Sequence, residues 1–374
     1  MVRERLVMGE PLSVEEEVAN AALRPRRMEE FVGHRNLVER LRIAVDAALQ
    51  RGEPIDHIIF YGPPGLGKTT LAHIVAHEMG AHLVTASGPA VTRPADLMGI
   101  LTNLDDSSVL FLDEIHRLPV TVEEFLFPAM EDYQVDFIID KGPFAKKINI
   151  PLKPFTLIGA TTRAGLLSAP LRERFGIFHH LDFYPPEDLA RIIRRSAGLL
   201  DFPFEPEAAD LLSVRSRGTP RVANRLLRRV RDYAEVKSDG RLTAGVVTDA
   251  LALEGIDEAG LDELDRRVLR TMLEVYRGGP VGLEALAATL NEEPDTLSDM
   301  VEPFLLKCKL LIRTPQGRRV TDAGRRHLGL PPMDSDDVER DREGPDPPSP
   351  SPPPPQENLA FGSEAAGGRA ISNG

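Results

Sequence analysis

Short runs of apolar residues alternate with segments of helical periodicity in the first half of the chain. The runs cover residues 58–61, 109–112 and 155–159. Runs of this kind predict parallel strands that are buried on both faces of a sheet. Apolar residues at three- and four-residue steps predict helices before and between the strands, at 35–49, 70–79 and 122–131. The alternation of strands and helices indicates an α/β fold with a parallel sheet.

Residues 133–150 interrupt this alternation. Two stretches of strand-forming residues, 135–138 and 146–150, flank a turn-forming sequence at 141–143. Strand patterns separated by a short glycine- and proline-containing segment are typical of a hairpin. We therefore predict a hairpin that protrudes from the sheet.

The pattern becomes helical after Tyr184-Pro185-Pro186. Periodicity predicts seven helices, at 187–200, 206–216, 221–236, 243–253, 262–276, 283–290 and 295–306. Two short strand patterns follow, at 310–313 and 318–321, on either side of a turn at 315–317. Helices followed by a small hairpin indicate a winged-helix domain.

These patterns predict a chain of several domains, because 374 residues exceed what one hydrophobic core usually fills. From residue 333 the sequence is acidic and then rich in proline and serine, which is typical of disorder. The predicted divisions are a flexible segment at 1–22, a large α/β domain at 23–184, a small helical domain at 185–255, a winged helix at 256–332 and a disordered tail at 333–374.

Composition narrows the class of protein. The formal net charge is −13, which argues against a protein that coats nucleic acid through bulk positive charge. The segments 221–231 and 307–326 are locally basic, so a nucleic-acid partner remains open. The sequence has no run of about 18–20 apolar residues and no signal peptide, so we expect a cytoplasmic protein without a membrane contact. Its single cysteine, Cys308, argues against a disulfide framework.

The sequence Gly62-Pro63-Pro64-Gly65-Leu66-Gly67-Lys68-Thr69 matches a phosphate loop and lies between a predicted strand and a predicted helix. The glycines allow backbone N–H groups to surround phosphate oxygens. Lys68 is expected to reach the β- and γ-phosphates, and the Thr69 hydroxyl to bind Mg²⁺. The motif predicts a nucleotide site.

Asp113 and Glu114 follow the second apolar run, so both carboxylates are expected at the carboxyl edge of the sheet. We assign Asp113 to the Mg²⁺ shell and Glu114 to the polarisation of the attacking water. An acidic pair at a strand end can also be an ordinary solvated turn. Its place downstream of a phosphate loop favours the catalytic role.

The sequence alone leaves the roles of several other candidate residues open. Thr161 and Thr162 end a strand and either contact the γ-phosphate or its attacking water, or only form a turn. Either one of Arg172 and Arg174 acts on a neighbouring subunit's nucleotide, or both are solvated side chains. Arg221 could bring the small domain over the γ-phosphate. Arg313 and Arg318 flank a hairpin turn and either contact DNA phosphates or are ordinary surface residues.

Taken together, the motifs resemble the RuvB family of AAA+ ATPases over residues 23–330. The phosphate loop is joined by Leu-Asp-Glu-Ile-His at 112–116, Gly-Ala-Thr-Thr-Arg at 159–163, Leu-Arg-Glu-Arg-Phe at 171–175 and Gly-Thr-Pro-Arg-Val-Ala-Asn-Arg-Leu at 218–226. The resemblance implies an AAA+ P-loop NTPase core, a small helical lid domain and a C-terminal winged helix. The tail from residue 333 extends beyond the family's usual end.

The resemblance also implies a function and its site residues. It implies a homohexameric ring that uses ATP and Mg²⁺ to pull duplex DNA through a Holliday junction, with RuvA holding the junction and RuvC as resolvase. The hairpin at 133–150 would be the RuvA-docking element, Arg174 the trans-acting arginine, and Arg313 and Arg318 the DNA contacts. The implied nucleotide contacts are Leu23, Arg24, Gly62, Gly65, Gly67, Lys68, Thr69, Thr70, Glu131, Asp132, Tyr133, Arg174, Tyr184 and Arg221.

Three other functions share parts of this pattern. An initiator or loader would have the ATPase core and winged helix, but the hairpin favours a motor. A protein unfoldase would need an aromatic-hydrophobic-glycine pore loop, and residues 86–98 contain no such triplet. A GTPase would carry an Asn-Lys-x-Asp motif, which the sequence lacks, so ATP is the expected nucleotide.

Overall fold

The computed structural model describes residues 21–139 and 146–332. The chain divides into a unit of Met1–Leu330 and a second unit of Pro331–Gly374. The predictions of a flexible segment at 1–22 and of a disordered tail at 333–374 fall almost entirely outside the described residues. Within the described ranges, no helix combines the length and apolar character needed to cross a membrane.

A five-stranded parallel sheet forms the centre of the first part of the chain. Its strands in spatial order are β2 (Leu83–Ser87), β3 (Ser108–Asp113), β6 (Phe155–Thr161), β1 (Ile58–Tyr61) and β7 (Ile177–His180). The three central strands are those that the apolar runs predict. The two edge strands, β2 and β7, were not predicted.

Alternate residues of each central strand pack into different cores on the two faces of the sheet. Ile58 and Phe60 belong to one buried cluster, whereas Ile59 between them belongs to the other. Such burial stabilises the fold by about 1.5–3 kcal/mol for each large side chain. The covering helices are α1 (Arg35–Arg51), α2 (Lys68–Glu78), α3 (Pro94–Leu101), α4 (Val120–Glu131) and α5 (Ala169–Glu173).

The predicted hairpin is present. Strands β4 (Gln134–Ile139) and β5 (Lys146–Pro151) pair antiparallel, with Val135 opposite Ile150. Val135 is buried in the core beneath the sheet, and Ile148 is exposed. The turn predicted at 141–143 lies outside the described residues.

Four helices follow the large domain, as the periodicity predicts. They are α6 (Pro186–Leu199), α7 (Pro206–Arg215), α8 (Pro220–Lys237) and α9 (Ala244–Leu253). Proline at the first turn of α6, α7 and α8 fixes the start of each helix at or one residue before the predicted position. Buried Leu189, Leu212 and Leu226 join the core that covers one face of the sheet.

The last described elements form a winged helix around a third core. Its helices α10 (Glu263–Glu274) and α11 (Leu283–Leu290) match the predictions. The helix predicted at 295–306 is divided into α12 (Pro294–Thr296), a π-helical segment (Leu297–Val301) and α13 (Glu302–Lys307). Strands β8 (Leu311–Thr314) and β9 (Gly317–Val320) form the wing, and α14 (Asp322–His327) follows them. The predicted α/β fold with a helical lid and a winged helix is confirmed.

Candidate nucleotide-binding site

The candidate residues lie at the ends of three adjacent strands, along one edge of the sheet. Because β3, β6 and β1 are parallel neighbours, their carboxyl ends lie side by side. Asp113 ends β3, Thr161 ends β6, and Gly62 follows β1. The N–H of Gly62 donates to the carbonyl of Thr161 at 3.2 Å, which ties the phosphate loop to the neighbouring strand.

The first glycine of the phosphate loop is required by its surroundings. Gly62 has φ +142°, and a Cβ there would lie 2.2 Å from the carbonyl oxygen of Leu181. Any other residue would push the loop away from the sheet edge. The loop then passes directly into α2, so the positive end of that helix and its free N–H groups face the loop's interior.

Lys68 is held at the base of the loop. Its ammonium donates to the carbonyls of Gly62 at 2.7 Å and Pro63 at 2.9 Å, and only 7% of the residue is exposed. Burial lowers the pKa of Lys68 to about 8, although the nearby carboxylates of Glu114 and Asp113 act in the opposite direction. The charge of Lys68 therefore depends strongly on anions that enter the site.

The acidic pair at the end of β3 adopts a specific geometry. Asp113 Oδ1 accepts from the N–H of Glu114 at 3.0 Å, and Glu114 has φ +49°. Residues held in this left-handed conformation are often found at functional sites. Burial, reinforced by the charge of Asp113, raises the pKa of the Glu114 carboxyl. A raised pKa makes the carboxylate a better acceptor for a proton from water.

Thr162 contacts Glu114 directly, and Thr161 contacts His116 beside it. The Thr162 hydroxyl donates to Glu114 Oε2 at 3.4 Å. The Thr161 hydroxyl lies 2.8 Å from Nδ1 of His116, and the same ring nitrogen is 3.1 Å from Glu114 Oε2. Burial lowers the pKa of His116 to about 4, so the ring is neutral near pH 7. The sequence indicated no role for His116, because its contacts form only in the folded chain.

A cavity lies over this edge between the large and small domains. Eleven of the predicted residues line it: Leu23, Arg24, Gly65, Gly67, Lys68, Thr69, Thr70, Asp113, Glu114, Tyr184 and Arg221. Tyr184 also donates its hydroxyl proton to the carbonyl of Leu66 at 3.2 Å, which connects this side of the cavity to the phosphate loop. Asn224 and Arg195 line the cavity as well and were not predicted.

The donors of the cavity suit a nucleoside triphosphate with its metal. Loop amides, the Lys68 ammonium and the Arg221 guanidinium provide positive charge for phosphates. The Thr69 hydroxyl and the Asp113 carboxylate provide the oxygen ligands that Mg²⁺ prefers. Apolar Leu23, Phe31 and Ile192 line the same cavity and could contact a base.

A second group of predicted residues lies outside that cavity. Arg174 forms an ion pair with Glu131, with Nε 3.1 Å from Oε1, and stacks on the Phe127 ring at 4.2 Å. Tyr133 packs edge-on against Phe155. Asp132 accepts a hydrogen bond from Gln134 at 3.3 Å. The chain therefore gathers Arg174, Glu131, Asp132 and Tyr133 around the end of α4.

The two wing arginines are directly opposite each other in the β8–β9 register. Both donate to Glu302, a buried residue at the start of α13: Arg313 Nε to Oε1 at 2.7 Å and Arg318 Nε to Oε1 at 3.0 Å. Hydrogen bonds from both arginines lower the pKa of Glu302 against the effect of its burial. The sequence did not indicate Glu302, which fixes both guanidinium groups on one side of the wing.

Comparison with known proteins identifies the family. Residues 23–181 match a family model described as the Holliday junction DNA helicase RuvB P-loop domain, residues 184–257 the RuvB AAA lid domain, and residues 258–329 the RuvB C-terminal winged helix domain. The chain belongs to the RuvB family. The expected resemblance is thus confirmed over three consecutive domains, and the phosphate-loop domain is that of an ATPase.

Solved structures of RuvB from Thermotoga maritima are similar throughout. The protein described as a RuvB Holliday junction branch migration motor is 49% identical, with a TM-score of 0.77, over 83% of this chain and 99% of that one. A point mutant of the same RuvB is 50% identical, with a TM-score of 0.76, over 82% and 98% of the two chains. The similarity therefore includes nearly the whole of the Thermotoga protein.

Proposed function

We propose that this chain is an ATP-driven ring motor that moves duplex DNA and drives branch migration of Holliday junctions. The observation that carries the proposal is that a RuvB-family chain combines two features. One is a cavity lined by the phosphate loop, Asp113 and Glu114, and the other is a wing with two paired arginines. RuvA is the proposed partner at the junction and RuvC the proposed resolvase. Such a motor would work in the cytoplasm, where the DNA lies.

The residues of the cavity have separate tasks in ATP hydrolysis. Lys68 would turn from the carbonyls of Gly62 and Pro63 to the β- and γ-phosphates. Thr69 and Asp113 would hold Mg²⁺, which neutralises developing charge on the phosphates. Glu114 would accept a proton from the attacking water, and Thr162 and Thr161 would orient Glu114 and the water around it.

The residues gathered around the end of α4 are proposed to complete the site of a neighbouring subunit. Arg174 lies outside the cavity of its own chain but keeps its guanidinium on a partly exposed surface beside Glu131. An arginine supplied in trans stabilises the charge of the transferring phosphoryl group. This arrangement would require a ring, and we propose a homohexamer with Glu131, Asp132, Tyr133 and Arg174 at each subunit boundary.

The surfaces for DNA and RuvA are proposed at two separate elements. Arg313 and Arg318 lie side by side on the wing, where both could contact one DNA backbone. The hairpin β4–β5 carries the exposed apolar residue Ile148, which suits docking to a protein partner. We also propose domain limits of 23–184, 185–255 and 256–332, as the sequence predicts.

Dissociation of a synthetic four-way DNA junction tests the function. Wild-type chain with ATP and RuvA is expected to convert the junction into duplex arms, whereas Glu114→Gln should leave it intact. An inert surface substitution, Asp105→Asn, is the matched control and should behave as wild type. ATP hydrolysis without junction dissociation would instead favour an initiator or loader.

A further inference from the structure

Arg163 follows the strand end at the edge of the sheet that forms the proposed γ-phosphate site. It follows Thr161 and Thr162, and its backbone N–H donates to the Thr161 hydroxyl oxygen at 3.0 Å. That hydroxyl contacts His116 at 2.8 Å, and His116 contacts Glu114 at 3.1 Å. Hydrogen bonds and close contacts therefore connect Glu114 and the strand end to Arg163.

The side chain of Arg163 extends to the winged-helix domain. Its Nε donates to Asp299 Oδ1 at 3.0 Å, and one terminal nitrogen donates to Asp299 Oδ2 at 2.9 Å, which is a two-point contact. The two hydrogens of the same nitrogen are shared with Asp295 Oδ1 at 2.8 Å and the Ser298 hydroxyl at 3.0 Å. Only 20% of the Asp299 side chain is exposed, so solvent screens this ion pair less than a surface pair.

The acceptor segment leads directly to the wing arginines. Asp299 lies in the π-helical segment Leu297–Val301, and Glu302 is the residue that follows it. Glu302 holds Arg313 and Arg318 through hydrogen bonds of 2.7 and 3.0 Å. A π-helical turn inside a helix often occurs at a functional site. The π-helical segment and the first residue of α13 thus contact both sites: Asp299 binds Arg163, and Glu302 orients the proposed DNA contacts.

We propose that Arg163 is a positioning residue that couples the ATP site to the DNA-contacting wing through Asp299 and Glu302. The inference rests on the proposed function and deepens it. Nucleotide bound against Thr161 and Glu114 would change the position of Arg163, and the Arg163–Asp299 contact would move the π-helical segment and Glu302. By reciprocity, duplex DNA on the wing must change the affinity for ATP by the same factor.

The test measures the coupling between the two ligands in the full-length chain. The dissociation constant for a duplex DNA is determined with and without a non-hydrolysable ATP analogue, and the ratio is the coupling factor. For wild type we expect a factor of about 5- to 150-fold. Asp299→Asn and Arg163→Gln should each bring the factor close to one, and the double variant should be no lower than either single variant.

The control pair is Asp105 with Lys153, an exposed acid–base contact at 3.2 Å within the large domain. Asp105→Asn should keep the wild-type coupling factor. Affinity for the ATP analogue alone and for DNA alone should stay within about threefold of wild type in all the variants, because the altered side chains neither line the nucleotide cavity nor belong to the proposed DNA contacts. A changed coupling factor with unchanged affinities for the single ligands therefore distinguishes lost coupling from a damaged fold.

Two results would overturn the proposal. One is an unchanged coupling factor in Asp299→Asn and Arg163→Gln. The other is a wild-type chain that dissociates junctions but shows no coupling. If the wild-type chain neither binds duplex DNA nor dissociates a junction, the proposed function itself fails, and the two failures are thereby distinguishable.

Discussion

At the scale of single residues, Lys68 links ATP binding to pH. Its pKa is lowered to about 8 by burial, and ATP phosphates placed beside the ammonium would raise that pKa again. Well below pH 8 the lysine is mostly charged in the free protein, so binding takes up little proton. Well above pH 8 the free lysine is mostly neutral, so binding must take up a proton and affinity must fall as pH rises.

Calorimetry in buffers of different ionisation enthalpy measures this uptake directly. We expect the proton uptake per ATP bound to be larger at pH of about 9 than at pH of about 7. Arg93→Lys, a change at an exposed position, should leave the uptake unchanged. A proton uptake of zero at the higher pH would show that Lys68 is fully charged before ATP binds.

Glu114 is expected to act in hydrolysis and not in binding. Glu114→Gln retains the size of the side chain but cannot accept a proton, so turnover should fall by about 10²- to 10⁴-fold while ATP affinity changes little. Single-turnover hydrolysis and equilibrium ATP binding measure the two effects. Glu53→Gln, at an exposed position, is the control. A hydrolysis rate within a few-fold of wild type would exclude Glu114 as the base.

At the scale of elements, the junction between β2 and β3 controls where Glu114 lies. Gly88 follows β2, and a Cβ there would lie 2.3 Å from the carbonyl oxygen of Glu114. Gly88→Ala must therefore displace the backbone of Glu114 or of residue 88. We expect a loss of about 1–3 kcal/mol in the free energy of unfolding, together with slower ATP hydrolysis.

Gly99→Ala is the matched control for this prediction. Gly99 lies in α3, and a Cβ added there would point into open space, so alanine should stabilise the helix by about 0.5–1 kcal/mol. Chemical denaturation of both variants gives the two free energies. If Gly88→Ala were as stable and active as Gly99→Ala, the close contact between Gly88 and the Glu114 carbonyl would not be needed for stability or hydrolysis.

The elements also show what the sequence can and cannot predict. The central strands were recognisable because both of their faces are buried, which requires nearly continuous apolar runs such as 109–112. The edge strands β2 and β7 are only partly buried and carry polar residues, including His179 and His180, so their sequences resemble loops. The phosphate loop and Asp113-Glu114 were predictable because adjacent residues carry the chemistry.

Other parts of the site depend on contacts that no local pattern encodes. Arg163 and Asp299 are 136 positions apart in sequence, and their contact exists only because two domains pack together. In the sequence, Glu302 resembles any acidic residue of a helix, because only the fold of the wing brings Arg313 and Arg318 beside it. The π-helical segment was invisible because its residues have ordinary helical periodicity.

At the scale of the whole molecule, the proposed sharing of the active site between subunits can be tested with two inactive variants. Arg174→Ala should bind ATP but lose hydrolysis, because its own cavity is intact while the neighbour's cavity lacks the arginine. Glu114→Gln should also lose hydrolysis, because its own cavity lacks the general base although it still supplies Arg174 to the neighbour's cavity. In a mixed ring, an Arg174→Ala subunit has an intact cavity, and an adjacent Glu114→Gln subunit can supply the missing arginine.

Mixing the two variants should therefore restore ATPase activity. With random assembly, about a quarter of the subunit boundaries combine an intact Glu114 with an intact Arg174. The recovered rate should rise to a maximum at equal proportions, and Arg172→Ala, altered at a nearby exposed arginine, should be active without mixing. If Arg174 acted within its own chain, every site in the mixture would still lack one group, and no proportion would restore hydrolysis.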